Sequence, residues 1–467
     1  MKTSLFKKKT RFNVPVDELF AWHARPGALE RLSPPWDPLD LICKSGGIEK
    51  NAVVAMKIRL SPLPFKRIWI AQHIKCEKNH LFQDRQISGP FAKWVHTHRF
   101  MADGEDASFL EDEIEYALPF SPITRFPGAY LIRKKLERIF HYRHFLTARD
   151  LEEHMAVDAG NQPLTILISG ASGLVGSHLV PFLTTGGHRV IRLVRQKEAV
   201  AEDALFWDPR KGIFELDHEM PIDVVVHLAG ENIGDGRWTK KKKQEIMESR
   251  DKTTALLAEK IRKLEKPPNV MINASAIGFY GNRGDEWMTE EDRCGPDFIS
   301  GVCSRWEEAA LPARENGIRT VFLRIGVVLS PKGGALKKLL PVFKTGLGGA
   351  LGDGTQYMSW IHLDDVIRAI YHGIYEERLD GPVNVVAPEP VQNNEFASVL
   401  GRVLKRPSFF TVPKSIVRLV FGEMGKEVPL SSTRVVPGRL KETGFSFHYP
   451  DLEGALGALL GKNAQSG

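Results

Sequence analysis

The spacing of hydrophobic and polar positions changes near residue 160. Before this point, apolar residues alternate with polar ones in several short runs and then recur at helical spacing in one longer run. Alternation with period two indicates a strand with one buried face, and a period near 3.6 indicates an amphipathic helix. The pattern predicts a helix at 16–24, strands at 53–60, 67–74, 94–100 and 108–118, and a long helix at about 130–146.

After residue 163, short apolar runs alternate with longer helical stretches. The predicted strands are 164–169, 189–194, 224–230, 270–274 and 320–325. This alternation is typical of a doubly wound parallel sheet with crossover helices. Residues 151–163 are polar, lack a period and end in Gly-Asn-Gln-Pro, so we predict a linker there. We therefore expect one domain at 1–150 and a second at 164–467, with a substrate-side lobe from about 330.

The composition is that of an ordinary globular protein, with 42% hydrophobic and 26% charged residues in 467. This excludes a disordered chain, a fibrous repeat and a coiled coil. The sequence holds no run of 18 apolar residues, so we expect no membrane-spanning helix. The four cysteines (Cys43, Cys76, Cys294 and Cys303) form no CxxC pair, and the N-terminus lacks the apolar core of a secretory signal. We expect a cytoplasmic protein without disulfides.

Positive charge is concentrated in the first third of the chain. Residues 1–150 hold 25 Lys and Arg against 17 Asp and Glu, a balance of +8. Such a balance can mark a surface for nucleic acid or anionic membrane. The basic residues are scattered, apart from Lys7–Lys9 and 133–135, and no nucleic-acid motif accompanies them. We expect solvated faces here and no nucleic-acid partner.

A glycine-rich turn follows the first strand of the second half. Strand 164–169 runs into this turn, a helix continues at 177–183, and a strand follows at 189–194. This is the context that a dinucleotide-binding fingerprint requires, with the pyrophosphate at the helix N-terminus. The first glycine permits the tight turn, the second lets the backbone approach the pyrophosphate, and the third lets helix and strand pack closely. The predicted cofactor-binding residues of the turn are Gly170, Ala171, Ser172, Gly173, Leu174, Val175 and Gly176.

The residue that ends the second strand distinguishes NAD from NADP. A carboxylate at this position binds the ribose 2′-hydroxyl of NAD. Here the position holds Arg195, with Arg192 and Lys197 nearby, and the first carboxylate is Glu198. A guanidinium matches a 2′-phosphate in charge and in bidentate geometry. We therefore predict NADP(H) as the cofactor.

Several further segments appear in order along the second half: 228–233, 248–250, 275–281, 306–307 and 360–365. With the glycine turn, they resemble the extended short-chain dehydrogenase/reductase superfamily, and within it the atypical, sugar-nucleotide-epimerase-like group of the NAD-dependent epimerase/dehydratase family. The resemblance and the strand ends imply additional cofactor contacts from Leu228, Ala229, Gly230, Glu245, Arg250, Ser275 and Val327. For Glu245 and Arg250, a solvated helix face is the alternative.

The catalytic residues typical of that superfamily are missing. Its members use a Ser or Thr together with YxxxK, in which the lysine lowers the tyrosine pKa for proton transfer. Only Tyr130 has a lysine four residues on, and it precedes the nucleotide-binding fold; Ala276 stands at the usual serine position. The remaining candidates for proton transfer are Tyr280, Ser275, His362 and Glu231. Packing is the alternative for Tyr280, and a structural role is the alternative for His362, with Asp365 capping the following helix.

The first domain resembles the START/Bet v 1-like (SRPBCC) superfamily. The resemblance depends on antiparallel strands before a long helix and on Gly89-Pro90-Phe91, Trp94, His96, His98 and Phe100. It implies an α+β helix-grip fold with a hydrophobic ligand between sheet and helix; a packed domain without ligand is the alternative. His96 and His98 share one face of a strand, but a metal needs a third ligand and the sequence nominates none, so we expect no metal.

Two hypotheses for function result from these observations. The first is an NADP-dependent oxidoreductase or epimerase-like enzyme that acts on an unknown, hydrophobic small molecule. The second is a non-catalytic regulatory protein that binds NADP and lipid. In either case we expect the glycine-rich segment 346–354 to form a mobile loop over the nucleotide site.

Overall fold

A computed structural model of the chain describes residues 3–59, 66–119, 125–158 and 162–462. The chain divides into two compact units. Among the described residues, the first unit contains those up to Gln162 together with 181–188, and the second contains 163–180 and 189–462.

The first unit contains a seven-stranded sheet in the order β1-β7-β6-β5-β4-β3-β2, in which all neighbouring strands are antiparallel. A helix of 34 residues follows the last strand. The elements are β1 Ser4–Phe12, α1 Val16–Ala24, α2 Ala28–Arg31, β2 Asp40–Ser45, β3 Val53–Arg59, β4 Lys66–Glu77, β5 Leu81–Ser88, β6 Lys93–Ala102, β7 Ser108–Ala117 and α3 Arg125–Asp158.

Side chains of α3 pack on the sheet. Leu136 and Phe140 of α3 form a buried cluster with Phe6, Ile114 and Tyr116 from β1 and β7. Alternate residues of β7 are buried, as the period-two pattern predicted. The helix predicted at about 130–146 lies within α3, and the strands predicted in this unit correspond to β3, β4, β6 and β7, except that Leu60 lies outside the described residues.

The predicted linker is wrong over residues 151–158, because α3 continues to Asp158; residues 159–161 lie outside the described part. Leu151 is buried in a cluster with Phe12, Leu19 and Trp22. This packing holds the last turns in the helix although their composition is polar.

The second unit contains an eight-stranded sheet in the order β11-β10-β9-β8-β12-β13-β15-β19. Neighbouring strands are parallel except at the edge pair β10–β11. The elements are β8 Thr165–Ser169, α4 Gly176–Thr185, β9 Arg189–Val194, β10 Ala204–Asp208, β11 Ile213–Phe214, β12 Val224–His227, α5 Lys240–Ile261, β13 Val270–Ala276, β14 Trp287–Met288, α6 Phe298–Glu308, α7 Leu311–Glu315, β15 Arg319–Ile325, β16 Val327–Leu329, α8 Gly334–Thr345, β17 Tyr357–Met358, β18 Trp360–His362, α9 Leu363–Tyr375, β19 Gly381–Val385, β20 Val391–Gln392, α10 Asn393–Leu404, α11 Lys414–Phe421, α12 Glu423–Glu427, β21 Arg434–Val435, α13 Gly438–Glu442 and α14 Leu452–Leu460.

The order of the parallel strands confirms the predicted doubly wound sheet. Counted along the chain from β8, the spatial order of the seven parallel strands is third, second, first, fourth, fifth, sixth, seventh, which contains the Rossmann arrangement. The chain reverses direction across the sheet between β8 and β12, so the ends of these strands form the crevice where such folds bind ligands. Leu167, Val225 and Met271, on three adjacent strands, are fully buried in the core beneath it.

The C-terminal helices form a separate hydrophobic core. Leu336, Phe343, Phe396 and Leu456, from α8, α10 and α14, are buried together. Backbone hydrogen bonds join residues 350–352 to Val412, at 2.8 and 2.9 Å. Two residues of segment 346–354 are thus hydrogen-bonded to a neighbouring segment, and the mobility of this loop stays a prediction. None of the helices in the described ranges is both long and apolar enough to cross a membrane.

Candidate nucleotide site

The turn after β8 has room only for glycine at two positions. Gly170 has a φ of +75°, and a Cβ there would lie 2.7 Å from the Leu228 carbonyl carbon and 2.9 Å from the Ala229 nitrogen. A Cβ on Gly176 would lie 2.3 Å from the Gly170 oxygen. The glycine turn is therefore closed against the backbone that follows β12, and α4 begins directly behind it.

A buried chain of hydrogen bonds supports this contact from below. Ser169 Oγ and His227 Nδ1 are 2.5 Å apart, and His227 Nε2 lies 2.9 Å from Thr254 Oγ1. Ser169 Oγ also accepts a bond from the Ala229 nitrogen at 3.3 Å. Burial lowers the pKa of His227 to about 3, so its ring is neutral. We did not predict His227; a polar residue at the end of an apolar strand is the only sequence feature that marks it.

Arg250 places a guanidinium beside the turn after β12. A Cβ on Gly230 would lie 3.1 Å from its Cζ, and the guanidinium lies over the Trp306 ring, 4.7 Å from the centroid. Among the described residues, only Nη1 of this guanidinium donates hydrogen bonds, to the Ile246 oxygen and to Ser249 Oγ, and burial lowers the pKa of the group. Within the described ranges no carboxylate forms an ion pair with Arg250. Its remaining donors are available to an anion.

Among the basic residues at the end of β9, Arg195 differs from its neighbours. Arg192 donates to Asp203 at 2.8 Å, and Lys197 lies over the Phe206 ring. Arg195 is exposed and, across the part of the chain that the structure describes, forms no ion pair. This is the position at which the sequence predicts a 2′-phosphate contact.

Two other predicted cofactor residues occupy less distinctive positions. Glu245 is half-buried on α5, and its Oε1 lies 4.0 Å from Lys241 Nζ. The Val327 nitrogen, in β16, donates to the Ser359 oxygen at 2.9 Å. Neither arrangement by itself points to a nucleotide.

The environment of Tyr280 is the opposite of what a proton-transferring phenol needs. The side chain is fully buried. Its hydroxyl donates to Asn384 Oδ1 at 2.6 Å and accepts from Arg324 Nη1 at 3.0 Å. Burial raises its pKa to about 12. The hydroxyl is held in a structural contact and is harder to ionise than a phenol in water.

Ser275 belongs to the same buried network. Its Oγ donates to Glu307 Oε1 at 2.7 Å, and both Glu307 oxygens accept from Arg324 at 3.0 and 2.9 Å. The Arg324 guanidinium also lies 3.5 Å from the Phe279 ring centroid. Arg324 therefore connects β13, α6 and β15. The sequence marks it only as a charge inside an otherwise apolar strand, which requires a partner.

His362 and Glu231 also have partners. His362 Nδ1 accepts from the Asp364 nitrogen at 3.0 Å, which caps α9, and its ring stacks on Tyr449 at 3.7 Å. The expected cap, Asp365, instead accepts from the backbone of residues 448 and 449, so that expectation was wrong. Lys242 lies 2.6 Å from Glu231 and lowers the pKa of that carboxyl group.

The first unit contains a cavity of 590 Å³ between its sheet and α3. Most of the lining is apolar and includes Met56, Trp69, Trp94, Leu136 and Phe140. One end is polar and is lined by His23, His73, Asp84, His96, His98 and Arg143. The structure thus brings a carboxylate, Asp84, to the two histidines for which the sequence nominated no third ligand.

The strand order and the glycine turn define a Rossmann-like α/β protein. Comparison with known proteins agrees: the model of the "NAD dependent epimerase/dehydratase family" matches residues 166–385, and that of a "Domain of unknown function (DUF1731)" matches residues 412–459. Epimerase family protein Mb2239 of Mycobacterium bovis is 41% identical over 292 residues, which are 62% of this chain and 96% of that protein. The chain belongs to the NAD-dependent epimerase/dehydratase family.

Two solved structures are similar to this chain in sequence as well as in fold. A nucleoside-diphosphate sugar epimerase from Corynebacterium glutamicum is 32% identical, with a TM-score of 0.78 over 98% of this chain and 90% of that chain. The human epimerase family protein SDR39U1, crystallised with NADPH, is also 32% identical, with a TM-score of 0.59 over 64% of this chain and 99% of that chain.

Proposed function

We propose that the second unit binds NADP(H) at the crevice between β8 and β12. The observation that carries this proposal is the turn from Gly170 to Gly176, where a Cβ at either end would overlap backbone. Because this turn is so tight, its backbone N–H groups and the N-terminus of α4 would face a bound anion. The NADPH of the human relative supports the choice of ligand.

Two cations would select and orient this cofactor. Arg195 would bind the 2′-phosphate, because it is exposed at the end of β9 and, in the described residues, has no ion-pair partner. Arg250 would offer its unused donors beside Gly230. Leu228, Ala229, Glu245, Ser275 and Val327 stay proposed contacts on the strength of the family resemblance. The bound cofactor would supply hydride exchange with a substrate.

The first candidate activity is that of an NADP-dependent oxidoreductase or epimerase-like enzyme. Family membership supports it. The hydrophobic ligand would then be held in the cavity of the first unit, which we propose as a START-like helix-grip domain because α3 and an antiparallel sheet enclose an apolar space.

One observation favours the alternative, a non-catalytic NADP- and lipid-binding protein. The side chains of Tyr280, Ser275 and His362, which we considered for proton transfer, are all buried and hydrogen-bonded in structural contacts. An enzyme would need a different proton-transfer group, or one carried by the substrate.

The cofactor proposal is tested by titrating the full chain with NADPH and with NADH. A hydrogen bond to a charged group contributes about 1.5–3 kcal/mol. We therefore expect Arg195→Ala to weaken NADPH binding roughly 10- to 100-fold and to leave NADH binding unchanged. Arg192→Ala is the matched control, because Arg192 is already bonded to Asp203. Equal losses for both nucleotides would remove Arg195 from the 2′-phosphate site, and absence of binding to the unaltered chain would refute the cofactor.

Turnover distinguishes the two activities. With nucleoside-diphosphate sugars, the class named for the Corynebacterium glutamicum relative, the assay follows NADP+ reduction and the appearance of an epimer; with hydrophobic aldehydes and ketones it follows NADPH oxidation. A reaction that depends on one of these substrates supports the enzyme. Tight NADPH binding without turnover across both classes supports the binding protein.

A further inference from the structure

The polar end of the cavity in the first unit is built on three adjacent strands. His96 and His98 are two residues apart on β6 and therefore face the same side of the sheet. Asp84 of β5 is the direct cross-strand partner of His96, and Asp112 of β7 is the partner of His98. The pairing register thus places two imidazoles between two carboxylates, facing the cavity.

We propose that Asp84, His96 and His98 bind a divalent transition-metal ion. One ligand atom from each residue lies within 4.8 Å of the others. His96 Nδ1 is 3.6 Å from Asp84 Oδ2, which is too long for a hydrogen bond. Two atoms that share an ion at about 2.1 Å each lie at most about 4.2 Å apart, so this separation suits two ligands of one metal.

Asp112 serves as the supporting carboxylate behind the imidazoles. It lies 2.8 Å from His96 Nε2 and 2.6 Å from His144 Nε2, both in hydrogen bonds. Metal-binding histidines commonly engage a carboxylate through the other ring nitrogen, which fixes ring orientation. Because Nε2 of His96 is used in this way, its Nδ1 is the nitrogen left to face Asp84.

Two groups at this site have no hydrogen-bond partner in the described residues. They are the carboxylate of Asp84, whose side chain is only 15% exposed, and Nδ1 of His98. His98 Nδ1 lies 2.6 Å from Asp112 Oδ1, but not in hydrogen-bonding geometry. The Asp84 carboxylate is half-buried and accepts no hydrogen bond from the described residues, so a metal ion could bind to it.

Burial lowers the pKa of both His96 and His98 and raises the pKa of Asp84. Burial opposes ionisation of Asp112, but the three neighbouring histidines overcome it and hold its pKa well below the usual range. Five cationic side chains line the same cavity: Arg25, Lys44, Arg59, Lys135 and Arg143. Of these, Arg143 interacts electrostatically with both Asp84 and His96 and opposes a bound cation there.

Two imidazole nitrogens and one carboxylate oxygen favour Zn²⁺, Fe²⁺ or Co²⁺ over Mg²⁺ or Ca²⁺. Three protein ligands leave coordination positions open. In this site the open positions would face a cavity whose lining is mostly apolar. The site would therefore take a metal together with an apolar molecule that carries an oxygen donor.

The experiment uses the full chain without an affinity tag, freed of metal by a chelator. Zn²⁺ binding is measured by calorimetry and bound metal by elemental analysis after gel filtration. Co²⁺ binding is followed by its visible absorption. We expect one ion per chain, with Co²⁺ bands typical of nitrogen and oxygen ligands.

Asp84→Asn keeps the shape of the side chain and should weaken Zn²⁺ binding at least tenfold. Asp103→Asn is the matched control, because Asp103 is exposed and paired with Arg11. A second pair of variants is available if Asp84→Asn does not fold. His98→Gln removes another proposed ligand, and His80→Gln is its control because His80 is exposed. NADPH binding by the second unit should be unchanged in all four.

Three results would overturn the proposal. The unaltered chain could bind less than about a tenth of an ion, or a site variant and its folded control could bind Zn²⁺ with equal affinity. The third such result is a thiolate charge-transfer band in the Co²⁺ spectrum. The last would assign the ion to an exposed cysteine such as Cys43 or Cys76.

Discussion

Replacing Gly170 with alanine places a methyl group where the turn after β8 has no room. The new Cβ would lie 2.7 Å from the Leu228 carbonyl carbon and 2.9 Å from the Ala229 nitrogen. Both are backbone atoms, so no side-chain rotation relieves the overlap. The residue would also have to keep a φ of +75°, which side-chain-bearing residues rarely adopt.

Gly236 separates these two effects. It has the same φ of +75°, but a Cβ there would meet nothing within 4 Å. The left-handed conformation alone costs roughly 1–2 kcal/mol, which is the loss of unfolding free energy that we expect for Gly236→Ala. Overpacking adds about 1–3 kcal/mol. Gly170→Ala should therefore lose about 2–5 kcal/mol.

The assay is differential scanning calorimetry of the full chain with and without NADPH. The transition that NADPH raises reports the second unit, because a ligand stabilises the state that binds it. At roughly 2–4 °C per kcal/mol, Gly170→Ala should lower this Tm by several degrees more than Gly236→Ala does. Its NADPH affinity should fall at least tenfold, while that of Gly236→Ala stays unchanged. Equal Tm losses in the two variants, or unchanged NADPH affinity in Gly170→Ala, would refute the closed turn as the nucleotide site.

Two more predictions concern buried groups near the strand ends. Tyr280→Phe leaves Asn384 Oδ1 and Arg324 Nη1 without the phenol, so we expect a loss of about 1–3 kcal/mol in unfolding free energy and unchanged NADPH affinity. A tenfold drop in turnover at unchanged Tm would instead make Tyr280 catalytic. His227 has a pKa of about 3 in the folded chain, against its ordinary 6.5, so the unfolded chain binds a proton first as the pH falls. Unfolding free energy should decrease by up to about 1.4 kcal/mol per pH unit between these values because of this residue. In His227→Gln, the unfolding free energy measured by calorimetry should fall less steeply between pH 6 and pH 4.5, by up to about 1.4 kcal/mol per pH unit. Parallel curves for the variant and the unaltered chain would contradict the lowered pKa of His227.

The basic run Lys7–Lys9 shows why charge along the chain is a poor guide to a partner. It lies in β1, which the sequence pattern did not predict as a strand, and pairs with the acidic side of β7. Lys7 Nζ is 2.5 Å from Glu113 Oε2, and Lys9 is in register with Glu111. These acidic residues lie about a hundred positions further along the chain. The run by itself therefore suggests an unpaired positive charge, and only the pairing of β1 with β7 brings carboxylates beside it.

The sequence by itself determined the doubly wound sheet of the second unit and the glycine turn within it. Both depend on local properties: apolar runs of strand length, helical spacing between them, and glycines where the backbone has no space for a Cβ. These properties are readable at short range because strand, turn and helix are each stabilised by residues close in sequence.

Only the tertiary structure decided which polar side chains are available for chemistry. Tyr280 is held by Asn384 and Arg324, and Ser275 is held through Glu307, all from other elements. Asp84 meets His96 because of the register between β5 and β6. Proton transfer and metal binding depend on burial and on the nearest partner atoms. Those partners come from distant parts of the chain, and residue type alone does not specify them.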